Sequence, residues 1–515
     1  MNKFMKELEI GEIHLRDRWQ FELKSEFFPL PTPEKNIYLQ EFYFFIPNSL
    51  QVNQETYSKS QFYQDQTNLI RYKTPEFQLN ELYDRTNAKS PLTRLSQLQK
   101  SLQENSSIPI IEDELKLLGN SIRSSLRESI RLLIKKGGKV KSLEEEEELF
   151  HEVSLFCEDI LHLRREYLEV QTAFLAALTS GNIKHYLLYL DEFMSNCINY
   201  YLTGFIEYLR KQLQASNQEK FDDVLFHVLQ HEHRHREENL PKLRITKEDS
   251  VNNEYVLYRS GLLNKFVQNA LLLNTAKSSV AQRYRNIIGS ISAGIAMLFF
   301  FVLFIWQGEV FLINSIPFIL ITVFLYIIKD RMKEGLKTIS YRQFLKWFSD
   351  YVTEIRSPDG EAILGKMTES SAFVPERKLS DEITRVRNRE FHVVLETFKR
   401  QEQVIYYKKK IAMFKPENPV DVRRCALNII FRFNISQFVK KADNPSQSYV
   451  IADPKTKEMI RSRLPKVYHL NIIIKNTYNT EDAKTKVELK KFRVILDKNG
   501  IKRIEHVPQT AIPFS

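Results

Sequence analysis

Residues 286 to 333 read NIIGSISAGIAMLFFFVLFIWQGEVFLINSIPFILITVFLYIIKDRMK, and nothing else in the chain restricts the fold as strongly. The runs 287–306 and 310–328 are each about 20 residues without an ionisable side chain, the length at which an α-helix crosses bilayer hydrocarbon. Lipid offers no partner to backbone N–H and C=O groups, so both runs are expected as helices. Only Gln307, Gly308 and Glu309 separate them, which predicts an antiparallel transmembrane hairpin. Lys277, Arg283 and Arg285 precede the first run; Lys329, Arg331 and Lys333 follow the second. Basic residues gather on the cytoplasmic side, so both flanking regions and both termini are expected there. Arg283, Arg285, Lys329, Arg331 and Lys333 are expected to touch anionic headgroups. Gly289, Ser290, Ala293 and Gly294, with Ser292 and Ala296, set small residues four apart, which lets another helix pack closely. No charge lies inside either run, so the hairpin reads as an anchor rather than an ion or substrate path.

The rest of the chain is long enough for two to four domains at 515 residues in all. The whole chain's 43% apolar content is too high for a disordered chain. Glycine is scarce, and neither GxGxxG nor GxxxxGK[ST] occurs, which weighs against a glycine-rich phosphate loop. Cys157, Cys197 and Cys425 form no CxxC pair, so a reducing compartment is expected, with neither a disulfide framework nor a zinc ribbon. The amino terminus, MNKFMKELEIGEIHLRD, has no apolar core of signal-peptide length, which leads us to expect a bacterial inner membrane or an organelle membrane. From Lys329 to Ser515, 38 basic residues face 23 acidic ones, so the +11 of the whole chain is concentrated there. That excess favours anionic partners.

Periodicity divides the remainder. Residues 1–88 look mixed α/β, with aromatic strands RWQFELKSEFF and NIYLQEFYFFI that are candidates for packing with the carboxyl-terminal sheet. Residues 89–240 are helical. Leu115, Leu118, Ile122, Leu126, Ile130 and Leu133 trace one apolar stripe, and Leu149, Val153, Phe156, Ile160, Leu163, Tyr167, Val170 and Phe174 a second. Leu187, Leu190, Met194, Cys197 and Tyr201 form a third, and a fourth helix starts near Phe221, which together predict an up-down bundle with coiled-coil-like packing. Ser142 and Glu145 form a capping box ahead of the acidic run LEEEEEL, read as a solvated helix start rather than a docking patch. Residues 253–286 and 329–352 are expected to continue the two spans as an antiparallel helical stalk. Residues 360–515 alternate as strands do, and DKNG marks a hairpin turn, so a basic, mostly antiparallel β-rich domain is predicted. The fold class is α+β: a membrane hairpin (287–328), a helical bundle and a sheet.

The one catalytic motif is HEHRH, residues 231–235, which fits His-Glu-x-x-His. Phe221, Val224, Val228, His231 and His235 follow helical spacing, so both histidines would share the apolar face. At about 1.5 Å per residue His235 lies level with His162 on a neighbouring helix, which makes a His231, His235, His162 metal site with Glu232 as base conceivable. The charged residues His233, Arg234, Arg236, Glu237 and Glu238 around it argue for a polar helix end instead, since burying them would strand several charges. Glu148-x-x-His151 and Glu232-x-x-His235 resemble a di-iron pair, but one opens its helix and the other closes its own. No spacing suggests a serine or cysteine nucleophile. YYKKKIAMF, residues 406–414, interleaves aromatics and lysines as single-strand nucleic-acid platforms do, and is read as a basic edge strand.

The resulting expectation is a non-enzymatic, membrane-anchored cytoplasmic scaffold, without a cofactor, that binds a protein partner or an anionic surface, or associates with itself. The alternatives are a membrane-tethered zinc metallopeptidase and a recruiter of nucleic acid to the membrane.

Overall fold

The computed structural model describes residues 3–8, 12–31, 33–100, 108–138, 142–177, 181–212, 215–240, 250–310, 315–347, 349–388, 402–415, 422–480 and 484–507. Twelve helices are described: α1 Lys3–Leu8, α2 Lys59–Asp65, α3 Leu79–Tyr83, α4 Pro91–Lys100, α5 Ile108–Gly137, α6 Leu143–Ala177, α7 Gly181–Gln212, α8 Ala215–Asn239, α9 Ser250–Gln268, α10 Val280–Val310, α11 Ile316–Trp347 and α12 Asp381–Asn388. The described strands are β1 Ile13–Leu15, β2 Gln20–Phe27, β3 Lys35–Pro47, β4 Gln66–Tyr72, β5 Asn274–Ser279, β6 Tyr351–Arg356, β7 Ile363–Val374, β8 Glu402–Phe414, β9 Leu427–Asn434, β10 Ser446–Ala452, β11 Met459–Pro465, β12 Tyr468–Asn479, β13 Thr485–Asp497 and β14 Gly500–Val507. The chain is α+β, and it divides into two compact units, residues 1–12, 70–273 and 419–429 against residues 13–69, 274–418 and 430–515.

The first unit is helical. Its core gathers the apolar stripes of α5, α6 and α7, and every stripe residue named above on α5 and α7 is buried. On α6 the seam passes through Gln171 as well as Tyr167 and Phe174, so Val170 is only partly covered. The capping box forms: Glu145 N–H donates to Ser142 Oγ at 3.3 Å and Ser142 N–H to the Glu145 carboxylate at 3.2 Å. Glycine lets α7 meet α1, since a Cβ on Gly204 would lie 2.5 Å from the Phe4 ring.

The second unit is a two-layer β structure. Its larger sheet is antiparallel, in the order β14-β13-β12-β3-β8-β7-β6-β5. A strand from the amino-terminal region, β3, therefore lies between β12 and β8, and residues 360–515 do not form a sheet by themselves. One face of this sheet packs on a smaller sheet, β1-β2-β9-β4, through aromatic rings such as Phe42 on Phe431 at 4.6 Å and Phe44 on Phe433 at 5.2 Å. The opposite face is covered at one end by α12, where Ile383 and Val386 cover Phe45, Val404 and Ile473. Strands β13 and β14 turn at Lys498–Asn499, and Gly500 takes φ +117°. The β10–β11 ribbon is exposed along both strands.

Two sequence expectations change here. Residues 253–286 are not one helix running into the apolar segment: α9 ends at Gln268 and β5 intervenes before α10. The segment NTAKSS is rich in Asn, Thr and Ser, which compete for helix hydrogen bonds, and β5 gains a ladder with β6 instead. YYKKKIAMF is no edge strand either, because β8 is paired on both sides, with β3 and with β7.

Helices α10 and α11 leave from and return to neighbouring strands of that sheet, with Ser279 opposite Tyr351 at their base. Among the described residues, one helix segment, Gly289–Val310, is long and apolar enough to cross a membrane. Gln307 and Glu309 belong to α10 rather than to a connection, and the Gln307 amide reaches across the pair: its Nε2 donates to Phe318 O at 2.6 Å and to Thr322 Oγ1 at 3.1 Å. The apolar part of α11 is Ile316 to Ile328, thirteen residues before Lys329. At 1.5 Å per residue it reaches about 20 Å, short of the roughly 30 Å hydrocarbon layer.

Candidate functional site

The residues of HEHRH part company on α8. The buried seam of this helix is Phe221, Leu225, Val228, Glu232 and His235, one position away from the seam expected through Val224 and His231. His231 is exposed, and His162 on α6 is exposed too, its ring stacked on Tyr83 at 5.7 Å. His231, His235 and His162 therefore do not converge. Both nitrogens of His235 face protein partners: Asn239 Nδ2 lies 3.3 Å from Nδ1, and Asp191 Oδ1 lies 3.0 Å from Nε2. With Asn239 as donor, the Nε2–H donates to Asp191. Glu148 and His151 are both exposed.

What sequence reasoning missed is the cation that Glu232 serves. Arg164, fully buried on α6, donates its Nε to Glu232 Oε2 at 3.1 Å and its Nη1 to Asp191 Oδ1 at 2.6 Å, and its Nη2 also bonds Glu232. Burial alone would raise the Asp191 carboxyl; the His235 hydrogen bond and the Arg164 charge outweigh it and hold the group below its ordinary value. Burial likewise opposes the Arg164 charge, and Glu232 and Asp191 overcome it, keeping the guanidinium protonated. Glu232 is thus the counter-ion of an interior arginine, with no free carboxylate edge for general-base chemistry. Burial pushes the Cys157 thiol up to about 12, which leaves it unreactive.

The second unit holds a cavity of about 750 Å³ on the sheet face that α12 leaves open. Alternation along β8 builds it. Tyr406, Lys408, Lys410, Ala412 and Phe414 line the cavity, while Ile405, Tyr407, Lys409 and Ile411 are buried on the other side of the strand. Strand β7 adds Lys366, Thr368 and Ser370 beside them, with Ser370 opposite Lys408 and Thr368 opposite Lys410. Lys35 of β3 and Lys59 of α2 complete a set of five lysines. Lys59 is paired with Asp350 at 2.8 Å. Asp350 is itself saturated, since Tyr63 donates to it at 2.8 Å and Ser371 N–H at 2.8 Å. Two carboxylates lie nearby on neighbouring strands: Glu41, opposite Lys408, accepts from Tyr406, and Glu354, opposite Lys366, pairs with Arg356 at 3.2 Å. No described carboxylate lies within 4.0 Å of Lys35, Lys366, Lys408 or Lys410.

Behind the cavity, Lys409 points into the aromatic layer. Its Nζ donates to Asn68 Oδ1 at 3.0 Å and lies 5.5 Å from the Phe42 ring. Burial lowers its pKa to about 7, against a partial upward pull from Glu369. Glu369 Oε1 accepts from Gln66 at 2.9 Å, Asn68 at 2.8 Å and Tyr407 at 2.6 Å, and Lys277 Nζ sits 3.0 Å from its Oε2. This network fixes the strand that carries Lys408 and Lys410.

On the helical pair, Ser292 and Ala296 are buried, whereas Ser290 and Gly294 face outward and Gly289 and Ala293 are half-buried. A Cβ on Gly289 or Gly294 would meet nothing within 4 Å. Lys329 stacks on Tyr326, 3.7 Å from the ring centroid, and reaches Phe300 of α10 at 5.9 Å. Arg331 is exposed and Lys333 half-buried; Arg283 and Arg285 lie on α10, but their side chains are outside the described residues. Comparison with protein-family models, with curated proteins and with solved structures found no match.

Proposed function

We propose that this protein is a membrane-anchored, non-catalytic adaptor on the cytoplasmic face of a bacterial inner membrane or an organelle membrane. Its α10–α11 hairpin holds it to the bilayer, and it binds an anionic partner or surface. The observation that carries this is the splice of two outward-facing apolar helices into adjacent strands of one sheet. Ile295, Leu298, Val302 and Ile305 of α10 and Ile319, Leu320, Val323 and Phe324 of α11 are exposed, an apolar surface left uncovered among the described residues. Because Ser279 and Tyr351 are opposite each other on the paired strands β5 and β6, and Val280 N–H donates to Asp350 O at 3.1 Å, the two helices have a common base. The apolar tip enters lipid from the side of that base. In the bundle, the saturated Arg164, Asp191, Glu232 and His235 cluster supports a structural rather than a peptidase role.

The test is alkaline carbonate extraction of membranes containing the full chain, with protease protection of tags at both ends. The expected outcome is retention in the pellet, with both tags cleaved from the same face. Recovery in the detergent-free supernatant, or tags on opposite faces, would overturn the proposal.

A further inference from the structure

We infer that the lysine-lined cavity on β3, β7 and β8 is a binding site for a doubly charged phosphate group, free or carried on a lipid headgroup. Four features of the site lead there. Lys35, Lys366, Lys408 and Lys410 converge on one concavity with no described carboxylate in ion-pair contact, so they repel one another until an anion enters. Antiparallel pairing holds Lys408 beside Ser370 and Lys410 beside Thr368, which gives each ammonium a neighbouring hydroxyl donor. The volume, about 750 Å³, suits a small molecule or headgroup rather than a macromolecular groove. Finally, β8 is fixed from behind: Lys409, Tyr407, Asn68 and Glu369 form a buried hydrogen-bonded network, so the lysines project from a strand with little freedom to move.

The chemistry narrows the class. A single carboxylate would leave most of the four cations uncompensated, and the site lacks the arginine forks that pair carboxylates in two-point fashion. Lysines act as point charges and suit a compact anion of high charge density. Stacked bases are disfavoured because the Tyr406 ring already packs on Tyr43, centroids 5.1 Å apart, with its hydroxyl bonded to Glu41. The site deepens the adaptor reading by naming what its basic face takes, yet it requires no bilayer, so failure of the anchor would leave it standing.

The experiment uses the full chain in neutral detergent. Calorimetric titration with inorganic phosphate is run beside cosedimentation with phosphatidylcholine vesicles, with and without phosphatidic acid. The variant Lys408→Gln/Lys410→Gln changes cavity lysines on a sheet face; Arg461→Gln/Arg463→Gln removes the same charge from the exposed β11. Circular-dichroism melting checks that both variants fold. The inference predicts that the cavity variant binds about tenfold more weakly or worse, and the β11 variant within about twofold of the parent. That pattern with inorganic phosphate marks a soluble phosphate ligand; the same pattern with phosphatidic acid vesicles alone marks a headgroup. Equal weakening in both variants means diffuse charge attraction, and binding of neither probe means no site; either result overturns the inference.

Discussion

Replacing Arg164 with methionine keeps a long side chain in the bundle while removing a cation that three helices share. The side chains of Arg164, Asp191 and Glu232 are at most 4% exposed, so water cannot take over the lost contacts. Asp191 keeps His235 at 3.0 Å, whereas Glu232 loses both guanidinium contacts. Breaking a buried pair from one side costs about 3–5 kcal/mol, and that is the expected loss for Arg164→Met at pH 7. Adding Glu232→Gln removes the stranded charge, so the double variant should recover about 2 kcal/mol. The acid side carries a sign as well. In the parent, Asp191 titrates below its unfolded value of about 3.9, so its contribution is complete above that pH and is lost only as pH falls through the folded value. Guanidinium denaturation followed by helical circular dichroism measures all three. A single-variant loss below about 1 kcal/mol, or a double variant no more stable than Arg164→Met, would refute the reasoning.

Four further outcomes are expected. Lys409→Met should flatten the pH dependence of unfolding between about 7 and 10.4: the folded value is lowered to about 7, so the unfolded chain binds more protons there and parent stability rises with pH through that window. Gly500→Ala should cost upwards of about 2 kcal/mol in thermal or chemical melts, because φ is +117° and a Cβ would lie 2.1 Å from the Arg18 carbonyl oxygen. His231→Ala should fall within about 0.5 kcal/mol of the parent, and His235→Ala should lose about 1–3 kcal/mol by orphaning part of Asp191; elemental analysis should find zinc content unchanged by either. Leu320→Arg, at an outward-facing position of α11, should weaken membrane retention in carbonate extraction by about 2.5–3.5 kcal/mol equivalent.

The bundle was legible because its stripes repeat over many turns, and a single polar residue such as Gln171 does not break the pattern. On α8 the pattern is short and two seams compete: Val224 and His231 in one, Leu225 and Glu232 in the other. The second wins because Glu232 finds Arg164, 68 positions earlier on another helix, and spacing along one helix cannot report that partner. The lysine run failed as an edge strand for a related reason. Its charges looked like protection of an open edge, but alternation sends Lys408 and Lys410 into a cavity and Lys409 toward Asn68, while the neighbour that covers the edge, β3, comes from residues 35–47. Apolar length located α10, but the helix extends past Gln307 and Glu309 because Gln307 finds acceptors on Phe318 and Thr322. No rule of composition anticipates that.

The paired strand ends at Ser279 and Tyr351 make the helical arm a detachable module. Antiparallel neighbours can be closed by a loop of about two to four residues, so a loop ending in Ser349-Asp350 could replace the whole excursion and leave each rung of the β5–β6 ladder intact. A shortened chain of that kind would keep Asp350 bonded to Lys59, Tyr63 and Ser371. It would keep the lysine-lined cavity of the sheet while removing the exposed apolar helices.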